Sequence, residues 1–385
     1  MVDATNMYLR DNSNNCIIDQ RWFASTQTGL MWPHSRFACL GRLACQYLID
    51  LFCKVEDEKM EFIRRNQALL TRRSAQEEAA TVIAAIHGQI GQPTKKRTVV
   101  PTSCTGSPAH MRELTNNGLA LCWKIGSPLF FITFTCNPQW PEIVSLLLPG
   151  QNAADRPVLT ARVFNLKLNA LLERLKKGLI FRRKTSTGTS VENITYLELE
   201  DDKGHGYLIS VVEFQKRGLP HAHIAFRPSN SPAKRKLPKG ESCKWVDHLV
   251  CAQFPTDDNK ADIMGRFSLT SAEFERLKIL VPKFMVHDNG NNHRTKNGQP
   301  PWCHVDGKCS KHYPKCFDPL QESSYVDEHG YVVYKRLAQQ DAYVVPYNPH
   351  ILLDFPCHCN VEIAGTVNII LYLYKYLFKG SDTTK

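Results

Sequence analysis

Two histidines one residue apart, His221-Ala222-His223, are the strongest chemical signal in the chain. On a strand, side chains at i and i+2 leave the same face, so both imidazoles can share one divalent cation. Tyr207 to Gln215 and Pro220 to Phe226 are strand-like runs joined by Lys216-Arg217-Gly218, a turn signal that makes them an antiparallel hairpin. With the loop centred on Arg217, antiparallel pairing puts Glu213 directly across from His221 and supplies a carboxylate. Gln215 shares that face, either as a fourth ligand or as the group that orients a water. A His/His/carboxylate set with open positions suits Mn²⁺ or Mg²⁺ acting as a Lewis acid on a phosphate. The dipeptide pattern alone is more often two hydrogen-bonded histidines; the facing Glu213 shifts that balance. The rival, a zinc hydrolase site, would show an HExxH helix, and the chain has none.

A second set lies near the C-terminal end, where Thr366 to Lys379 has helical spacing and Gly380 at the C′ position. On a helical wheel Asn368, Lys375, Tyr376 and Lys379 fall within about 60° of Tyr372, while Tyr374 shares the opposite arc with Val367, Ile370, Leu371 and Phe378. A phenol, whose pKa is about 10, is a weak nucleophile near neutral pH, and neighbouring ammonium groups favour its ionised form. Lys375 is placed for that. The same pattern also describes a half-buried aromatic stripe with a basic edge.

The segment that follows the hairpin is rich in Cys and His. His287, His293, Cys303 and Cys309 form the best candidate set for tetrahedral zinc, although no CxxC pair is present, and a metal-free basic loop remains the equal alternative. Its lysines, with Trp302, Tyr313 and Phe317, suit contact with a nucleic-acid backbone and unstacked bases.

These groups need elements to hold them. LFFITFT, from Leu129 to Thr135, is β-branched and aromatic and closes at Asn137-Pro138, which reads as a buried strand and its exit turn. A helix is expected next, with Asp155 near its N-cap, Pro157 in its first turn, an apolar stripe of Val163, Leu166, Leu168, Leu171, Leu172 and Leu175, and an end at Gly178. Thr185 to Asp202 reads as a loop or an extended hairpin, and short strands are expected around Tyr331 to Tyr334 and Tyr343 to Tyr347. Ahead of all this, Arg36 to Leu70 carries apolar residues at helical spacing, and Gln89 to Ser107 reads as a basic linker. The domain expectation is therefore a helical N-terminal region and linker over 1–105 and a main domain over 106–380, in which 228–318 is a basic Cys/His-rich insertion.

With 48 Lys+Arg against 37 Asp+Glu in 385 residues, the formal net charge is +11, which favours a polyanionic partner. No run reaches the ~18 apolar residues of a membrane-spanning helix, so no membrane partner is expected. Fourteen cysteines without a secretory signal read as thiols or metal ligands rather than a disulfide framework.

Taken in order, FFITFTCNPQWPEI (130–143), DRPVLTARVF (155–164), VVEFQKRGLPHAHI (211–224), VVPYNP (344–349) and YLYKYLFKG (372–380) resemble the Rep domain of Helitron transposases, within the HUH endonuclease superfamily. The resemblance runs from about Gly106 to Gly380, and FACLGRLACQYLIDLFCKVEDEKMEFIRRNQ looks like the helical region that precedes this domain in Helitron proteins. It implies an α+β fold, a central antiparallel sheet with flanking helices. It also implies that His221 and His223 are the metal ligands and that Tyr372 and Tyr376 are paired nucleophiles. In related replication initiators a Glu stands eight residues before the first histidine, as Glu213 does here.

The implied reaction is a metal-dependent nick in single-stranded DNA at transposon ends, with the 5′-phosphate kept on tyrosine. Lys216, Arg217 and Lys379 are then expected on the DNA, and the nucleus is the expected compartment. Three features depart from the family. Residues 182–203 form an insertion, the family's His-Gly-Pro-Cys-Gly run reads His287-Asp288-Asn289-Gly290-Asn291, and no Walker A motif follows the tyrosines before Lys385. The alternative expectation is accordingly a truncated, inactive DNA-binding relic, and an active protein would take its helicase in trans.

Overall fold

The computed structural model describes residues 42–67, 100–104, 107–177, 182–184, 191–193, 206–215, 218–228, 242–287, 303–305 and 308–364. The chain divides into two compact units, Met1–Asn116 with Gly380–Lys385, and Asn117–Lys379. In the first, α1 spans Arg42–Arg65, where the sequence spacing predicts a helix, and its exposed face is braced by Lys59–Glu56 and Arg65–Glu61 pairs one turn apart. The second helix, α2 (Pro108–Ile125), begins in this unit and ends in the next. Among the described residues no helix is long and apolar enough to cross a membrane.

The second unit is built on four strands: β1 (Phe130–Thr135), β2 (Tyr207–Phe214), β3 (Pro220–Arg227) and β4 (Cys359–Ile363). Their order in the sheet is β4-β1-β3-β2, every neighbour antiparallel. Helices and three two-stranded pairs supply the rest of the described residues, so the class is α+β, as the family resemblance implies. The hairpin register pairs Glu213 with His221, which is the pairing expected from a loop centred on Arg217.

All six residues of β1 are buried, yet the two faces they serve differ in kind. Phe130, Ile132 and Phe134 join Ala222, Ile224 and Phe226 of β3 and Cys359, Val361 and Ile363 of β4 in the main core. Strand side chains alternate, so Phe131, Thr133 and Thr135 leave the opposite face. On that face the register aligns Thr133 with His223 and Thr135 with His221. The sequence FFITFT is thus one apolar face and one face that begins apolar and turns polar.

The main core is closed by α3 (Pro157–Lys176), whose Val163, Phe164, Leu168, Leu171 and Leu175 are buried against it. Leu166, expected on that stripe, is 64 % exposed, and Phe164 takes the inward position instead. Asp155 lies beside the N-cap, as expected. Arg156 occupies it, while Asp155 ends a short 3₁₀ turn (Ala153–Asp155) and accepts a hydrogen bond from the Asn152 N–H, because the Asn152 and Asp155 side chains already cap that turn reciprocally. Arg182–Lys184 and Val191–Asn193 pair as the outer ends of a hairpin within the expected insertion.

Residues 242–287 go beyond the sequence reading, which saw only their Cys and His. They carry α4 (Lys260–Phe267) and α5 (Ser271–Phe284), and with α6 (Pro349–Asp354) they bury a second core of Ile263, Phe267, Phe274, Leu277, Val281, Leu352 and Leu353. Thr270 and Glu273 start α5 with a reciprocal capping box, a T-x-x-E signal legible in the sequence. Tyr331 to Tyr334 contributes Val332–Val333, paired with Tyr325–Val326. Tyr343 to Tyr347 does not form a strand. Its first residue ends a 3₁₀ turn, and only single bridges follow, Val344 to Val286 and Tyr347 to Cys251, so its backbone is shared between two short partners.

The polar face is capped at one end by Leu119, Cys122 and Ile125 of α2, which pack with Phe131, Tyr207, Ala225, Ile209 and Val211. Gly126 locks that end. It ends the helix at φ +115°, its carbonyl accepts the Tyr207 hydroxyl at 2.8 Å, and the next carbonyl, Ser127 O, accepts Arg227 Nη1 at 2.6 Å. A Cβ there would sit 2.8 Å from the Arg227 guanidinium carbon. Gly126→Ala is therefore expected to destabilise the protein by roughly 1–3 kcal/mol, from backbone strain and a displaced Arg227, as a shift in the urea midpoint.

Candidate metal centre

The polar half of the sheet face gathers the hairpin residues singled out from the sequence. Glu213, His221 and His223 each present a ligand-type atom, and these lie within 4.8 Å of one another. Both histidine residues are only 7 % exposed. Glu213 is directly opposite His221 on the ladder, but its carboxylate reaches diagonally to His223, with Oε1 3.1 Å from Nε2. That spacing fits a shared cation as well as a direct hydrogen bond. Two ligand atoms at right angles on a hard cation, each ~2.1 Å away, are themselves about 3 Å apart.

The environment keeps the imidazoles neutral, which ligation requires. Burial, then the neighbouring His223 and His358 rings, push His221 down to about 3 from its ordinary value. Burial also lowers His223, and the hydrogen bond and charge of Glu213 oppose it without reversing it. Phe131 lies flat on the His223 ring, 5.5 Å between centroids with planes 5° apart, and the two histidine rings meet edge to face at 4.6 Å. The ring planes are therefore set by packing before any ion arrives.

Three contributors were not singled out in the sequence. Thr135 Oγ1 lies 2.7 Å from His221 Nδ1. Phe131 sets the His223 plane. His358, just before β4, is half-buried and holds the Phe284 carbonyl through Nδ1 at 2.8 Å, and its partial burial lowers its pKa despite that bond. The alternation in FFITFT signals two threonines on one face, but which strand lies beside β1 is not readable from spacing. Gln215, expected as a ligand or water-orienting group, has its amide Nε2 3.5 Å from His221 Nδ1, beside the nitrogen that Thr135 contacts. Tyr372, Tyr376, Lys375, Lys379, Lys216 and Arg217 lie outside the described residues.

A second cluster stands in the Cys/His segment. His287, Cys303 and Cys309 also present ligand atoms within 4.8 Å of one another, with Cys309 Sγ 3.3 Å from His287 Nε2. Two two-residue strands, His304–Val305 and Lys308–Cys309, fold the two cysteines together, and Tyr313 stacks on the His287 ring at 4.2 Å. Burial opposes ionisation of Cys309, but backbone N–H groups of Tyr313 and Lys311, the Cys303 side chain and the charge of Lys315 outweigh it and lower the thiol pKa. That is the environment of a thiolate ligand. The fourth residue of the sequence set, His293, lies outside the described residues.

An antiparallel sheet with a His/His/carboxylate cluster on one face and a Cys/Cys/His cluster in a following segment defines a mixed α+β domain with two candidate metal centres. The family model described as the Helitron helicase-like domain at the N-terminus matches residues 32–226, about half of the 385-residue chain, and the chain belongs to that family. The match takes in α1, β1, α3 and the hairpin up to the end of the metal-centre face. A comparison with curated proteins finds no match.

Two outcomes follow from the geometry. His221, His223 and His358 all have folded-state pKa values below the ordinary 6.5, so below that pH the unfolded chain binds more protons than the folded one. Stability from these groups is complete above about 6.5 and is lost as pH falls toward about 3. Thermal melts of the metal-free protein from pH 7.5 to 4.5 should show this decline, and His221→Ala should flatten it. If the second cluster holds structural zinc, Cys303→Ser should lower the melting temperature and release about one zinc per chain, measured by atomic absorption on purified protein. Protein that carries no zinc as purified would remove the structural-zinc reading.

Proposed function

We propose that this chain is a metal-dependent endonuclease and strand transferase that nicks single-stranded DNA with a tyrosine nucleophile and keeps the 5′-phosphate as phosphotyrosine during rolling-circle transposition. The observation that carries the reading is the Glu213, His221 and His223 cluster on the sheet face of a Helitron-family domain. A bound Mn²⁺ or Mg²⁺ supplies Lewis-acid polarisation of the scissile phosphate. His221 and His223 hold such an ion as neutral donors, and Glu213 contributes the negative charge that offsets part of the cation's own.

The nucleophiles are assigned from sequence to Tyr372 and Tyr376, with Lys375 beside them to favour the phenolate. The phenolate oxygen bonds to phosphorus, the bond from phosphorus to the 3′-oxygen breaks, and that oxygen takes a proton to leave as a 3′-OH. Two tyrosines permit two successive transfers. The net charge of +11 supports a polyanionic substrate, with Lys216, Arg217 and Lys379 as proposed phosphate contacts. The proposed site of action is the nucleus.

Labelled single-stranded DNA and Mn²⁺ should yield a protein–DNA adduct that survives denaturation. His221→Ala or His223→Ala should remove the adduct while most DNA affinity is retained, since affinity is spread over many Lys and Arg. The Tyr372→Phe, Tyr376→Phe double variant should also form none, and Tyr374→Phe should be nearly silent. A protein that binds DNA and forms no adduct under any metal would be the catalytically inactive relic instead.

A further inference from the structure

At the candidate metal centre, a residue outside the Glu213, His221 and His223 set makes a short contact to one of the imidazoles. Thr135 is the last residue of β1, 8 % exposed, and its Oγ1 is 2.7 Å from His221 Nδ1. A neutral imidazole has one N–H and one lone pair, on different nitrogens, and the bond made by one nitrogen decides what the other offers. A hydroxyl can donate or accept, so the contact by itself permits either tautomer. Nδ1 is taken by the hydroxyl, which leaves Nε2 as the nitrogen available to an ion shared with Glu213 and His223. Nε2 can bind a cation only if the proton is on Nδ1.

We propose that Thr135 is a positioning residue that accepts the His221 Nδ1–H and thereby holds the tautomer whose Nε2 lone pair serves the metal centre. The proposal rests on the reading of Glu213, His221 and His223 as that centre. Two further observations support it. The backbone fixes the hydroxyl, because Thr135 is paired on the ladder with His221 on one side and its N–H donates to the His358 carbonyl at 3.1 Å on the other. The competing group is too far away: the Gln215 amide stands 3.5 Å from the same nitrogen, beyond the usual range of an N–H bond. Ligating histidines commonly anchor their second nitrogen in this way, and loss of such an anchor weakens metal binding about 10–100-fold.

Thr135→Val keeps the β-branched shape and removes only the hydroxyl, so the strand should form as before; Thr135→Ser restores an acceptor. The ¹⁵N spectrum of histidine-labelled, metal-free protein should show His221 protonated at Nδ1 in the wild type and in Thr135→Ser, and shifted toward Nε2–H in Thr135→Val. Mn²⁺ affinity, read by electron paramagnetic resonance of the free ion, should fall about 10–100-fold in Thr135→Val and recover in Thr135→Ser. A wild-type His221 protonated at Nε2 would overturn the proposal. So would undiminished Mn²⁺ affinity in Thr135→Val when His221→Ala has lost it. If His221→Ala binds Mn²⁺ as well as wild type does, the metal-centre reading fails, and the tautomer spectrum still decides the role of Thr135.

Discussion

The register between β1 and β3 is the constraint on which the rest of the second unit depends. Pairing Thr135 with His221 and Thr133 with His223 puts hydroxyls beside imidazoles on one face and Phe, Ile and Ala together on the other. A slip of one residue would turn the histidines into the main core and the phenylalanines out of it. Burial of Phe130, Ile132 and Phe134 against α3 is therefore also what aims the metal-centre side chains. Packing energy and site geometry are two results of one alignment.

Burial does a second service at the site. An imidazole sealed into the sheet face resists protonation, so burial lowers the pKa of both His221 and His223 and favours the neutral form that can offer a lone pair. The cost is a face that cannot tolerate charge without a partner, and Glu213 is the one carboxylate of the cluster. At the Cys/His cluster the logic runs the other way, since hydrogen bonds from the turn after Cys309 favour the charged thiolate. The two candidate centres thus differ in backbone arrangement as well as in side-chain type.

Local pattern made part of this legible in the sequence. The Glu213 to His221 pairing follows from arithmetic on a short hairpin, and β1 from its composition, because both depend on neighbours in the chain. Thr135 and His358 stayed hidden for the opposite reason. They reach His221 through the β1–β3 and β4–β1 pairings, which join segments 86 residues apart in the case of Thr135 and His221. α4 and α5 lie in a stretch whose Cys and His point to ligands, and the local mark of a helix there is the Thr270 and Glu273 capping box. Leu166 fails for a plainer reason: a Leu at helical spacing is a candidate for burial, and the partner surface decides whether Leu166 or Phe164 fills the inward position.

The two imidazoles and the carboxylate differ in how much water they meet: the His223 side chain is 9 % exposed and that of Glu213 is 36 % exposed, on a strand that forms the edge of the sheet. The carboxylate therefore stands at the wet rim of the cluster and the imidazoles in its dry interior, so the edge strand carries the one donor of the three that water reaches freely.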